Sequence, residues 1–125
     1  MMIETDYTKI MEVATLLFHE SDGWINLGMS DFRHTEGTPV ALVAATVKDD
    51  NTDLLEGELK KAGIKDCCAV IQNIRSNSVT LGCCARINGF IPEGIRLRRS
   101  ITKDNSLPFG EHKVSFFLFK KEKTE

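Results

Sequence analysis

Apolar side chains recur at Tyr7, Ile10, Met11, Ala14, Leu17 and Phe18. This 3.6-residue period predicts an amphipathic helix from about Asp6 to Glu20. Thr5 or Asp6 is placed to cap its start, and Gly23 to stop it. Val13 and Leu16 widen the stripe, so cover on more than one side is expected. A second helix is predicted from about Thr52 to Ala62. Asn51 is its cap, Asp53 and Glu56 lie near its positive end, and Lys60 and Lys61 near its negative end. Gly63 followed by Ile64 supplies the stop.

Elsewhere the period falls to two or the apolar run is continuous. Val40–Val47 reads VALVAATV, small and apolar on both faces, as a central strand does. Further strands are predicted at Trp24–Met29, Cys67–Ile74, Val79–Ile87, Ile95–Ile101 and Lys113–Lys120. The RSNS turn makes Cys67–Ile74 and Val79–Ile87 a hairpin. The order is helix, two strands, helix, four strands, with short links in the second half. It predicts an α+β fold: a single antiparallel β-sheet of about five or six strands with two helices packed on one face. The chain is expected to be one domain, 1–125, with residues 1–4 and 121–125 frayed.

Composition narrows the function classes. The chain has 125 residues, 42% hydrophobic and 27% charged, an ordinary globular mix that needs no metal or disulfide to fold. Sixteen basic and 18 acidic residues leave a net charge of −2, which argues against general nucleic-acid binding. The N-terminus lacks the basic and apolar regions of a signal peptide, and no apolar run approaches the ~20 residues of a membrane helix. A cytoplasmic protein with no membrane association is therefore expected. P-loop, dinucleotide, nucleophile-elbow, HExxH and EF-hand patterns are absent, and no cofactor is expected.

All four cysteines lie in two adjacent pairs, Cys67–Cys68 and Cys83–Cys84. Neighbours on a strand point to opposite faces, so four thiolates from strands do not converge on one zinc, and no metal site is expected. In the predicted hairpin, a loop at Ile74–Asn77 sets Cys67 against Cys84 and Cys68 against Cys83, and a one-residue slip breaks both pairings. Small buried hydrophobes are the expected role of these cysteines, with Cys84 as the candidate reactive thiol.

Two stretches carry candidate chemistry. SDFRHTEGT, Ser30 to Thr38, is a long polar loop with Asp31, Arg33, His34 and Glu36. His34 with Asp31 or Glu36 is the candidate catalytic group, since histidine titrates near neutral pH. GIRLRRSITK, Gly94 to Lys103, places Arg96, Arg98 and Ser100 on one strand face and Ile95, Leu97, Arg99 and Ile101 on the other. Arg86 on the preceding strand joins the first set. Arg96, Arg98, Arg86 and Arg33 are the expected ligand-binding residues, because parallel guanidinium groups hold phosphate or carboxylate by forked hydrogen bonds. The final strand, VSFFLF, is apolar on both faces and needs two covers. With the broad first helix it suggests a homo-oligomer, a dimer or higher.

The expected function is binding rather than catalysis: holding an anionic small molecule, a nucleotide or phosphorylated metabolite, with the Ser30–Thr38 loop closing over it. The alternative is a protein partner docked on Phe90, Ile91 and the last strand.

Overall fold

The computed structural model describes residues 2–18, 23–25, 28–48, 53–78 and 91–121. In chain order they form strand β1 (Met2–Glu4), helix α1 (Tyr7–Phe18), β2 (Gly23–Ile25), α2 (Met29–Arg33), β3 (Thr38–Lys48), α3 (Asp53–Lys61), a 3-10 turn (Ile64–Asp66), β4 (Ala69–Ser76), β5 (Arg96–Lys103) and β6 (Glu111–Lys120).

α1 forms where the apolar stripe predicts it. Asp6 caps it: its carboxylate accepts from the N–H groups of Thr8 at 2.9 Å and Lys9 at 3.3 Å, satisfying two donors of the open first turn. Ile10, Ala14 and Phe18 are buried at one-turn spacing. Val13 joins their core, whereas Leu16 is 75% exposed. α3 likewise buries Leu55 and Leu59. Gly63, with φ 84, follows its end and adopts the left-handed geometry expected of a helix stop.

The sheet has six strands in the order β1-β3-β6-β4-β5-β2. It is mixed, not antiparallel throughout. β4 and β5 run parallel from Ala69↔Arg96 to Ser76↔Lys103, while β4 and β6 are antiparallel. Parallel neighbours need a crossover of a dozen or more residues, about 12 at the least, and the connection between β4 and β5 is long enough. β4 thus has both edges occupied, and none remains for the hairpin partner expected at 79–87. Those residues, with Cys83, Cys84, Arg86 and Phe90, lie outside the described residues. Met2–Glu4 pair with β3 rather than fray. Three residues are too short a run for alternation to announce a strand.

The helices lie on opposite faces of the sheet, which corrects the expectation of two helices on one face. Leu55 and Leu59 of α3 pack with Val43, Val70, Ile74, Val114, Phe116 and Leu118. Ile10, Ala14 and Phe18 of α1, with Phe32 of α2, pack with Leu42, Ala69, Ile71, Phe117 and Phe119. The reason is the central position of β3, β4 and β6. Side chains alternate along each strand, and all three strands are apolar on both sides, so each face needs its own cover. The second cover for the last strand is therefore a helix, so that strand by itself does not call for a second subunit. Among the described residues no helix is long and apolar enough to cross a membrane.

Candidate functional site

The Ser30–Thr38 segment opens as a helix, not a loop. Asp31 sits three residues beyond Gly28, and its Oδ2 accepts from the Gly28 N–H at 2.9 Å, the side-chain half of a capping box. Its Oδ1 lies 3.5 Å from Arg98 Nη1. Glu36 pairs instead with Lys121 at 3.4 Å. Both carboxylates proposed to work with His34 thus also engage other groups. His34 is exposed and, among the described residues, lines neither of the two cavities below.

The rest of the segment is clasped to the sheet. The Cys68 thiol reaches the carbonyl oxygens of Glu36 at 3.3 Å and Phe119 at 3.4 Å. Gly37 has φ 90, and a Cβ there would lie 2.5 Å from the Lys120 carbonyl oxygen. Phe32 anchors the other end in the core. A segment fixed at both ends is a wall of the molecule, not a closing lid. Between it and α1 lies a cavity of about 410 Å³ lined in part by Tyr7, Met11, Arg33 and Thr38.

β5 divides as its alternation predicts. Arg98 faces α2, where Asp31 meets it. Ser100 and Thr102 lie on the same side and accept from Asn73 Nδ2 at 3.2 and 3.3 Å. Arg96 shares that face and is exposed. Arg33 is reached from another element, at the end of α2, and Arg86 lies outside the described residues. The structure therefore brings Arg98 to Asp31.

The sheet register aligns a different set of cations. On the α1 side, Thr46 of β3, Lys113 of β6, Arg75 of β4 and Thr102 of β5 form one row across four strands. Ala44, Ser115, Asn73 and Ser100 form the next row. Leu42, Phe117 and Ile71 follow beneath α1. Lys113 and Arg75 are directly opposed like charges, an arrangement that by itself destabilises a strand pair. Asp104 offsets part of it, with Oδ2 at 3.6 Å from Arg75 Nε. Hydrogen bonds from the Ser106 hydroxyl and backbone N–H hold the Asp104 carboxyl below its usual range, and Arg75 and Lys113 lower it further. Asp104 thus faces two cations. Beside them a cleft of about 340 Å³ is lined by Val13, Leu17, Ala44, Thr46 and Ser115 as well as Arg75 and Lys113. Sequence reading missed this pair because Arg75 and Lys113 belong to separate strands that only the sheet order makes neighbours.

Other reactive groups are structural. Ser76 Oγ lies 2.6 Å from His112 Nδ1, the spacing of a nucleophile and its base, but both residues are buried and closed to substrate. Ser76 Oγ also accepts from the Ser78 N–H, and the Ser78 hydroxyl accepts from the Gly110 N–H, tying the end of β4 to the turn before β6. Cys67 and Cys68 pack into opposite cores, as the divergence of adjacent side chains predicts. Burial pushes the Cys67 thiol up, Lys120 opposes this, and Cys68 and Asp66 add to the rise. Fewer thiolates at neutral pH mean slower attack. Brief alkylation followed by peptide mapping is expected to leave Cys67 unlabelled in the native protein and labelled in urea. Among the described residues no group of His, Cys, Asp and Glu is arranged to hold a metal ion.

No protein-family model and no curated protein sequence matches the chain.

Proposed function

We propose that this protein is a small binding module for an anionic small molecule, a nucleotide or phosphorylated metabolite, taken up in the cleft beside α1. The observation that carries this reading is the in-register pair Lys113 and Arg75, lining a cleft whose remaining wall is largely apolar. The two cations would hold the phosphate or carboxylate, with Arg75 offering a forked donor set and Lys113 a mobile point charge. Val13, Leu17 and Ala44 would take the apolar body of the ligand. A volume of about 340 Å³ falls at the lower end of ligand pockets and suits a compact metabolite. Arg96 and Arg98 extend the positive character of the same face, so the sequence expectation of an anion-binding sheet face is kept and its centre moves. A cytoplasmic location, where phosphorylated metabolites are abundant, belongs to this reading.

Calorimetric titration with adenosine monophosphate, a sugar phosphate and inorganic phosphate tests it. Hydrogen bonds to charged groups contribute about 1.5–3 kcal/mol each, so Lys113→Ala is expected to weaken binding roughly 10- to 100-fold. Arg98→Ala should have the smaller effect, since Asp31 already engages that side chain. Binding should also weaken with added salt, because the pair is open to solvent on one side. Absence of heat with every anion, or equal affinity in the Lys113→Ala and Arg75→Ala double variant, rejects the reading.

A further inference from the structure

The opposite face of the sheet carries a second cationic contact, and its donors are incompletely matched. Gln72 and Arg99 are register partners on the parallel strands β4 and β5. Arg99 Nε donates to Gln72 Oε1 at 2.6 Å. Two further donors of the same contact, Gln72 Nε2 and Arg99 Nη2, are buried and have no hydrogen-bond partner among the described residues. Gln72 is itself 0% exposed. Its strand neighbours on this face are Val70 and Ile74, those of Arg99 are Leu97 and Ile101, and Phe116 lies opposite Gln72 across β6. Among the described residues these strand neighbours are apolar.

Buried donors left unmatched destabilise a fold, and a buried charge without a counter-charge does so more strongly. The other two half-buried arginines on β4 and β5 show how this sheet meets that demand. Arg75 has Asp104 and Arg98 has Asp31. Arg99 forms no ion pair with a carboxylate among the described residues. A guanidinium presents Nε–H and Nη2–H along one edge as parallel donors. With Nε held by Gln72 Oε1, the unmatched Nη2–H points the same way, and Gln72 Nε2 shares a carbon with Oε1. Both donors thus lie within the span of a single anionic group. Gln72 is sealed, while Arg99 is only half-buried, so an anion would reach the pair from the Arg99 side.

We infer that Gln72 and Arg99 form a receptor for one carboxylate or phosphate group, separate from the Lys113–Arg75 cleft and independent of it. An anion there would match both donors and supply a counter-charge, so its binding would register as stability.

The test is thermal unfolding of the full chain at constant ionic strength in chloride, acetate and inorganic phosphate. Wild type is expected to gain about 4 °C or more, saturably, in acetate or in phosphate relative to chloride. Whichever anion acts alone identifies carboxylate or phosphate as the group bound. Gln72→Glu places a carboxylate against Arg99. It should raise the midpoint in chloride and lose the anion response. Arg99→Met, which removes the charge together with its desolvation cost, should lose the response as well and covers the case in which the glutamate variant does not fold. Lys113→Ala should keep it, which separates this site from the cleft. No saturable rise in wild type, or an equal rise in wild type, Gln72→Glu and Arg99→Met, overturns the inference.

Discussion

Phe117→Ala is expected to remove about 3–5 kcal/mol of stability, a large share of the roughly 5–15 kcal/mol that holds a domain folded. Phe117 is fully buried on β6. Its ring stands 5.6 Å from that of Phe18 on α1 and 5.2 Å from that of Phe32 on α2. Phe32 continues to Phe119 at 5.1 Å. One side chain thus joins two helices to the centre of the sheet. Truncation removes the apolar burial, the edge-to-face contact with Phe32 and the packing against Phe18, and the helices cannot collapse inward without leaving the strands they already touch. Urea denaturation checks it: the midpoint should fall sharply with little change in slope. A loss below about 1 kcal/mol would mean that the cluster relaxes freely, contrary to the close packing of cores.

Gly37→Ala is expected to be nearly as severe for a smaller change in mass. Two independent terms act there. At φ 90 a residue with a Cβ is strained, by about 1–3 kcal/mol. The new methyl would also stand 2.5 Å from the Lys120 carbonyl oxygen and 2.9 Å from Cys68 Sγ, and overpacking of this kind adds about 1–3 kcal/mol. The backbone neighbour cannot swing away as a side-chain tip would. The end of β6 must shift, and the clasp between Cys68 and the Glu36 carbonyl opens with it. Besides a lower midpoint in urea, thiol labelling should report the change: Cys68 should become faster to alkylate in Gly37→Ala than in wild type. Stability and labelling both unchanged would show that the bend is not under the constraint described.

The candidate sites differ in how far they could be read beforehand. The division of β5 into Arg96 and Arg98 on one side and Arg99 on the other follows from alternation, and Arg98 meets α2 while Arg99 meets Gln72 on the far face. The polar loop from Ser30 to Thr38 was legible as a functional candidate, but its composition concealed a structural use. Asp31 caps α2, and Gly37 lets the chain pass close to β6. Polar side chains serve capping and turn chemistry as readily as catalysis, and spacing alone does not separate these roles. The Lys113–Arg75 and Gln72–Arg99 contacts had no sequence signal, because each joins residues more than twenty positions apart.

What the amino-acid order determined by itself is local. The stripe from Tyr7 to Phe18, the Asp6 cap, the Gly63 stop, the two apolar faces of β6 and the divergence of Cys67 from Cys68 all follow from periods of 3.6 and two residues and from backbone preferences, which act within a few positions of the chain. What the tertiary structure decided is adjacency. Backbone hydrogen bonds form equally well in a hairpin, in a parallel pair or in any register, so they do not choose a partner for β4. The choice falls to burial. β4 carries apolar residues on both faces, Val70 and Ile74 on one and Ala69 and Ile71 on the other, so it is stabilised most at the centre of the sheet, between β6 and β5 and beneath helices on both faces, and that placement set Arg75 against Lys113 and Gln72 against Arg99.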